Sequence, residues 1–254
     1  MYVMPAEKMP RRTIPTFRRS RENSHHNKSL ITIHSGAPAE NTTLYRIDKG
    51  KNPLLASRFF NQLRFQNSGL LLRHTHLGMS RYLGPIQAAR AIGEYFVSNR
   101  ENVRILDVAA GTGKVGQELR HLGFRNLDAL DPSEGMLKKA KERGVYNQTF
   151  QLYFEMNLPI PDDSYDCLVV VGGMGEGHLP AESVHEMIRL VKPGGLVCIA
   201  MREEYLQYVE AYKDKLQPLM ENLEREGKWH QHKKEYVPNY AFGKDGTVFQ
   251  YVIH

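Results

Sequence analysis

The chain has few of the features that stabilise small secreted proteins or anchor membrane proteins. Its 254 residues include only two cysteines, Cys167 and Cys198. Both lie in apolar runs, where a free thiol usually packs as a small hydrophobic side chain, and two of them make no disulfide framework. No apolar run approaches the roughly 20 residues of a membrane-spanning helix, and the N-terminus lacks the apolar region of a secretory signal.

These absences predict a reducing compartment and no membrane partner. We expect a cytoplasmic protein, with a nuclear location as an alternative. A mitochondrial presequence is disfavoured, because Glu7, Glu22 and scattered prolines interrupt the basic N-terminal segment.

Residues at metal-ligand spacing are also scarce. Two His-x-His pairs, His74/His76 and His230/His232, would each place two imidazoles on one face of a strand. No Cys or carboxylate ligands accompany them at the spacing of a zinc site. The sequence therefore predicts no metal.

The net charge of +6 is unevenly distributed along the chain. Residues 1–80 hold 13 of the 34 Lys and Arg but only 4 of the 28 Asp and Glu, so residues 81–254 hold 21 basic and 24 acidic side chains. The basicity belongs to the leading segment and not to the rest of the chain. A nucleic-acid partner is therefore not indicated for that part, although the basic segment leaves such a contact open.

The composition divides the chain into three parts. Residues 1–43 mix Pro, Arg, Ser, Asn and His with few aromatics, a composition typical of a disordered basic tail. Residues 44–81 have no persistent apolar period and remain a poorly defined segment. Regular spacing begins at Tyr82, so we expect one folded domain over residues 82–254.

From Tyr82 onward, strand-like and helix-like segments alternate. Pro85 suits the first residue of a helix, and Ser133 is placed to cap another. The predicted strands are 103–108, 127–130, 149–154, 165–171 and 195–201, followed by two β-prone segments, 228–236 and 247–253, joined across residues 243–246. The predicted helices are 85–96, 114–122, 134–143, 180–191 and 203–226, the last interrupted near Pro218.

This alternation predicts an α/β fold in three layers. Strands separated by helices of this length form right-handed crossovers, which give a parallel sheet covered by helices on both faces. The continuous apolar run at residues 168–171 is typical of such a buried strand. The last two segments have no room for a crossover helix, so we expect a mostly parallel seven-stranded sheet with an antiparallel C-terminal hairpin edge.

A glycine-rich turn follows the first predicted strand. Gly111 and Gly113 allow a ligand to approach the backbone, next to the free N–H groups of a helix start. With Gly116 they also match the Gly-x-Gly-x-x-Gly pattern of dinucleotide-binding proteins, so an NAD(P)-dependent oxidoreductase is one alternative. Against it, Asp107 at the strand end would repel a pyrophosphate and suits a cationic ligand better.

Asp131 ends the second predicted strand, 18 residues after Gly113. Its two oxygens can accept hydrogen bonds from both hydroxyls of an adenosine ribose. Alternatively, Asp131 only caps the helix that follows.

Four ordered motifs resemble those of the class I S-adenosylmethionine-dependent methyltransferases. They lie at residues 105–113, 130–137, 158–166 and 192–195, and residues 82–89, 171–178 and 192–198 resemble more closely the methyltransferase-like family of the Williams–Beuren region. The resemblance extends from Tyr82 to the C-terminus. It implies a Rossmann-like methyltransferase fold, S-adenosylmethionine as cofactor, and methyl transfer to an unidentified acceptor, either a small molecule or a protein side chain. A catalytically weak or inactive relative acting as a partner protein is the alternative.

The resemblance also implies a role for each matching position. Gly111 and Gly113 would hold the methionine part of the cofactor with Asp107 near its amino group. Asp131 would bind the ribose. Val171 and Gly172 would form the floor beneath the sulfonium. The full set of predicted cofactor-binding residues is Asp107, Ala109, Gly111, Thr112, Gly113, Asp131, Pro132, Met136, Phe154, Glu155, Val171 and Gly172, in which Met136, Phe154 and Glu155 would surround the adenine.

The sequence departs from these relatives in two places. Many of them carry an Asp at the end of the third strand, where Glu155 is the nearest acid here. Relatives also carry an aromatic, Asp-containing segment that closes over the cofactor, and residues 1–80 contain no such run; the single tryptophan is Trp229. Closure excludes water and completes such sites, so its absence would weaken cofactor binding.

The loop after the fourth predicted strand bears on the acceptor. His178 is the predicted general base, with Glu176 second, unless His178 is only a loop histidine. The run Gly-Gly-Met-Gly at residues 172–175 replaces Asn-Pro-Pro-Tyr, which disfavours amino-group methylation of adenine or glutamine. This loop has no cysteine, which disfavours carbon-5 pyrimidine methylation through a covalent adduct.

Overall fold

The computed structural model describes residues 82–254; the predicted segments 1–43 and 44–81 lie outside these residues. The helices are α1 (Gly84–Tyr95), α2 (Lys114–His121), α3 (Glu134–Glu142), α4 (Ser183–Leu190), α5 (Tyr205–Tyr208) and α6 (Leu216–Arg225). The strands are β1 (Arg104–Val108), β2 (Asn126–Leu130), β3 (Gln148–Phe150), β4 (Tyr165–Val171), β5 (Val191–Arg202), β6 (Trp229–Ala241) and β7 (Lys244–Ile253).

The seven strands form one sheet in the order β3-β2-β1-β4-β5-β7-β6. β1 to β5 are parallel, whereas β7 runs antiparallel to both of its neighbours, β5 and β6. The predicted Rossmann-like sheet with an antiparallel C-terminal hairpin is thus confirmed. The last strand in the sequence lies inside the sheet because its residues Gly246–Ile253 are buried throughout, whereas the more polar β6 covers the edge.

Each face of the sheet packs against helices. Along β4, Cys167 and Val169 face the cluster that includes α1 and α2, while Leu168 and Val170 face the cluster that includes α4 and α6. Strict alternation of this kind follows from the two-residue period of a strand. Both faces of β4 are apolar because both are covered, as parallel strands require.

Local sequence determines several helix starts. Pro85 lies in the first turn of α1, where its missing N–H is not needed. Ser133 caps α3, and its Oγ accepts a hydrogen bond from the Met136 N–H at 3.3 Å. The predicted cap at Ser133 is confirmed, and α1 begins one residue before Pro85, at Gly84.

Two element predictions were wrong in extent. The third strand was expected to reach residue 154 but ends at Phe150, because its partner β2 ends at Leu130 and offers no further backbone groups. The helix expected over 203–226 is two helices, α5 and α6, separated by residues 209–215. Pro218 is not at the break; it lies in the first turn of α6, a position that proline tolerates.

The remaining boundaries agree with the sequence-based predictions to within a few residues, except that β5 begins earlier and the hairpin strands β6 and β7 extend further towards their connection. Among the helices of residues 82–254, none is long and apolar enough to cross a membrane.

Candidate functional site

The candidate site lies where the carboxyl ends of β1, β2, β4 and β5 meet at one edge of the sheet. The strand order reverses direction between β1 and β4. At such a switch point the loops leave towards opposite faces and open a crevice, where open α/β sheets bind their ligands. The ends of β1 and β4 and the loops that follow them hold seven of the twelve residues predicted to bind the cofactor.

The loop after β1 has an unusual backbone. Ala109, Gly111 and Gly113 all have positive φ, at 55°, 55° and 80°. This conformation is costly for alanine, and it recurs at functional sites. Among residues 82–254, a Cβ built on Gly111 would meet nothing closer than the Ala109 carbonyl oxygen at 4.0 Å, so this part of the described structure leaves the backbone open. Thr112 and Ala109 are half-buried beside it.

The other two glycines of the pattern face a side chain. A Cβ on Gly116 would lie 2.5 Å from Cζ of Tyr146, and one on Gly113 would lie 3.0 Å from Cε2 of the same ring. Gly116 is therefore required by the packing of Tyr146 against α2. The third glycine of the dinucleotide pattern thus has an explanation that involves no nucleotide.

Tyr146 also binds Asp107, the acid at the end of β1. Its hydroxyl donates to Asp107 Oδ2 at 2.5 Å and accepts from the Gly116 N–H at 3.2 Å. Asp107 is 2% exposed, and its Oδ1 has no hydrogen-bond partner among the described residues. The pKa of Asp107 is raised to about 7: burial is the main cause, the Tyr146 hydrogen bond opposes it, and the nearby Asp131 adds to it.

Asp131 holds the loops after β1 and β2 together. Its Oδ2 accepts from the Gly111 N–H at 2.9 Å and its Oδ1 from the Ser133 N–H at 2.8 Å. Burial raises its pKa, and these two backbone donors partly offset the effect. Each carboxylate oxygen keeps a second lone pair, so the ribose role stays a prediction. The alternative role as helix cap is filled by the Ser133 side chain.

The residues predicted near the adenine differ in their surroundings. Pro132 and Met136 are half-buried at the start of α3, and Glu155 is exposed. Phe154 is buried in the core cluster that includes Leu130, and its contact with the adenine stays a prediction.

The segment after Phe154 is held by a buried ion pair on α4. Glu186, which is fully buried, accepts from the Asn157 and Leu158 N–H groups at 3.1 and 2.9 Å. Arg189 binds Glu186 and donates to the Ile160 carbonyl at 2.9 Å. The pair fixes the segment that follows Phe154 and Glu155, two of the residues predicted to surround the adenine.

The predicted floor of the site is the end of β4. Val171 is buried, whereas Gly172 is exposed and has a φ of 67°. A Cβ on Gly172 would lie 2.5 Å from the hydroxyl oxygen of Tyr82. A Cβ on Gly173 would lie 2.8 Å from Cβ of Ala109. Gly173 therefore allows the loops after β1 and β4 to approach each other, and Gly172 leaves room for Tyr82.

His178 lies on the exposed part of the same loop. Its N–H donates to the Gly175 carbonyl at 3.0 Å, and its ring lies near Gly175. Tyr212 fixes the loop from the other side: its hydroxyl accepts from the Gly175 N–H at 2.8 Å and contacts the Leu179 carbonyl oxygen at 2.6 Å. The role of His178 as a base stays a prediction.

Sequence reasoning assigned no role to Tyr146, Tyr212 or Tyr82. Tyr146 and Tyr212 contact loops 30 or more residues away in the chain. The available clue for Tyr146 was Gly116, a helical glycine that implies a large neighbour. Tyr82 belongs to the motif at residues 82–89, and its position before Gly84 and Pro85 indicated only a helix start.

The two histidines of the described His-x-His pair have different partners. In β6, His230 Nδ1 lies 3.0 Å from His254 Nε2, whereas the His232 ring packs edge-on against Tyr95. His74 and His76 lie outside the described residues. Across residues 82–254, no three His, Cys, Asp or Glu side chains are grouped to hold a metal ion.

Comparisons with known proteins find similarity to methyltransferases. Residues 105–195 match a family described as a methyltransferase domain. The chain is 35% identical to Methyltransferase-like protein 27 of Homo sapiens over 151 residues, which are 58% of this chain and 60% of that protein. It is 30% identical to a demethylmenaquinone methyltransferase of Clavibacter sepedonicus over 160 residues, 61% of each chain. The chain thus spans about 60% of the length of these relatives.

Solved structures share the fold. A SAM-dependent methyltransferase from Leishmania major superposes with a TM-score of 0.56 at 14% identity, over 80% of this chain and 85% of that one. A protein from Pyrococcus horikoshii OT3 gives 0.52 at 17% identity, over 71% and 95%. At these identities the likeness concerns the fold alone.

Proposed function

We propose that this chain is a class I S-adenosylmethionine-dependent methyltransferase and that it transfers a methyl group from that cofactor to an acceptor bound beside the loop after β4. The cofactor, when bound, supplies a methyl group on a sulfonium that is already primed for in-line displacement. The protein's part is to hold and orient both partners and to exclude water.

The observation that carries this proposal is the buried Oδ1 of Asp107 at the end of β1, which has no hydrogen-bond partner within residues 82–254. A buried polar atom without a partner is unfavourable unless a ligand satisfies it. A cationic amino group would do so, and the open backbone at Gly111 lies on the same loop. A pyrophosphate would instead bring negative charge against this carboxylate.

The other predicted residues would complete the binding site. Asp131 would accept from the ribose hydroxyls through its remaining lone pairs. Met136 would pack near the adenine, and Glu155 or backbone groups would take the place of the Asp found in many relatives. Val171 and Gly172 would lie beneath the sulfonium. No metal is needed for this chemistry.

We propose that the acceptor approaches over Tyr205 and His178, which flank Gly175. The Arg202 guanidinium carbon lies 5.5 Å from the Tyr205 ring centroid and 5.6 Å from that of Phe242, and Phe242 is exposed. Aromatic faces of this kind suit a small molecule with a planar apolar part better than a protein side chain. The relatives named as demethylmenaquinone methyltransferases support a small-molecule acceptor. His178 would remove a proton if the acceptor arrives protonated.

We place this activity in the cytoplasm, which agrees with two cysteines that are buried and unpaired.

The proposal is tested by calorimetric titration of the full chain with S-adenosylhomocysteine and with NAD. We expect the first ligand to bind and NAD not to bind, and we expect Asp107→Ala to weaken binding strongly. Binding of NAD alone would overturn the proposal. If the cofactor binds but no labelled methyl group reaches any acceptor in a panel of quinols, phenols, amines and carboxylates, the non-catalytic partner role is favoured instead.

A further inference from the structure

Two tyrosine hydroxyls meet beside the floor of the candidate site. The oxygens of Tyr82 and Tyr240 are 3.5 Å apart, and their rings are perpendicular with centroids separated by 5.6 Å. The Tyr240 side chain is buried, and its hydroxyl donates to the Ala200 carbonyl at 2.9 Å. The pair is therefore anchored to the end of β5.

This anchoring determines the direction of the hydrogen bonds. A phenol has one proton to donate, and Tyr240 gives its proton to the Ala200 carbonyl. Between the two hydroxyls, Tyr82 must then be the donor. Burial raises the pKa of Tyr82, and the neighbouring Asp107 raises it further, so the hydroxyl stays protonated at neutral pH. The Tyr82 oxygen consequently keeps its lone pairs for another partner.

The other side of this oxygen faces Gly172. The Tyr82 oxygen lies 2.5 Å from the place that a Cβ on Gly172 would occupy, whereas Gly172 itself is exposed. An acceptor oxygen is thus held directly at the residue that would lie beneath the sulfonium. Because any larger residue at position 172 would displace it, the glycine and the tyrosine act together.

We propose that the Tyr82 oxygen accepts weak C–H hydrogen bonds from the methyl group on the sulfonium and so orients that group for transfer. This inference rests on the proposed function. A methyl group bonded to a sulfonium carries partial positive charge, and such C–H donors bind oxygen weakly. The thioether product has neither the methyl group nor the charge, so Tyr82 would favour the loaded cofactor over the spent one.

The test compares two ligands on the full-length chain by calorimetry: S-adenosylmethionine and S-adenosylhomocysteine. Tyr82→Phe keeps the ring and removes the oxygen. We expect it to weaken S-adenosylmethionine binding by roughly two- to fivefold, the size of one weak hydrogen bond, and to leave S-adenosylhomocysteine binding unchanged. Equal weakening of both ligands, or of neither, would overturn the inference.

Two further variants separate this role from a structural one. Tyr95→Phe removes a hydroxyl that donates to the Gly194 carbonyl at 2.9 Å, and it should change neither affinity. Tyr240→Phe leaves the Tyr82 oxygen in place but removes the acceptor of its proton. It should lower the ratio of the S-adenosylmethionine affinity to the S-adenosylhomocysteine affinity, as Tyr82→Phe does, and by no larger factor. A wild-type chain that binds neither ligand would overturn the proposed function together with the inference, an outcome distinct from equal weakening in Tyr82→Phe.

Discussion

Cofactor affinity should rise with pH through neutrality, because Asp107 must be ionised to face a cationic amino group. Burial raises the pKa of Asp107 to about 7. Below that pH the carboxyl group is protonated and neutral, and its attraction for a cation is largely lost. Above it the carboxylate is charged. The cofactor affinity therefore increases with pH and levels off once Asp107 is ionised.

The magnitude follows from the titration of one group. With a pKa of about 7, the ionised fraction grows from roughly 9% at pH 6 to roughly 76% at pH 7.5. If only the ionised form binds well, the affinity increases about eightfold, or about 1.2 kcal/mol. This is an upper value, because a protonated Asp107 still accepts a hydrogen bond.

The assay is calorimetric titration of S-adenosylhomocysteine between pH 6 and 7.5, in buffers of matched ionic strength. This ligand lacks the sulfonium, so the amino group is its main cationic partner for Asp107. Asp107→Asn is the matched control: it should bind weakly, with an affinity that does not change over this range. A flat profile for the wild type would refute the role of Asp107, as would a pH dependence that persists in Asp107→Asn.

Three other substitutions test the structure around the site. Glu186→Ala leaves Arg189 and two backbone N–H groups without their partner, and should lower the free energy of unfolding by about 2–4 kcal/mol in urea denaturation. Tyr146→Phe removes a hydrogen bond to the carboxylate of Asp107, so its pKa rises and the midpoint of the pH profile moves upward. Gly172→Ala combines positive φ with a clash and should weaken binding of both cofactor forms and lower the melting temperature.

Each of these substitutions has its own control. Glu186→Gln retains the shape of the side chain and part of its hydrogen bonding, so it should be less destabilising than Glu186→Ala. A pH midpoint in Tyr146→Phe that stays at the wild-type value would contradict the proposed link to Asp107. Gly123→Ala matches Gly172→Ala in having a positive φ, here 97°, and no atom of the described residues lies within 4 Å of its Cβ position. It should lower stability by about 1 kcal/mol and leave cofactor affinity unchanged.

The local sequence was sufficient to predict most of the fold. The cap at Ser133, the proline at the start of α1 and the apolar run of β4 each depend on residues close together in the chain. The alternation of strands and helices then determines the parallel order, because crossovers are right-handed. For this reason the sheet and the edge that carries the site followed from the pattern.

What could not be predicted depends on contacts between distant segments. The insertion of β7 between β5 and β6 is decided by burial of its side chains in the assembled sheet. The early end of β3 reflects where its partner β2 stops. Likewise, the Tyr146–Asp107 contact joins residues 39 apart, and no periodicity reports it. The motifs located the site, whereas the tyrosines that shape it are visible only in the structure.

The most direct test of the central claim is a crystal structure of the full chain with S-adenosylhomocysteine bound. We expect the ligand at the carboxyl ends of β1, β2 and β4, with its amino group at Asp107 Oδ1 and its ribose at Asp131. A ligand located elsewhere, for example in the groove between α1 and α2 that Arg90 and Leu122 line, would contradict the account. So would a bound ligand that leaves Asp107 Oδ1 without a partner.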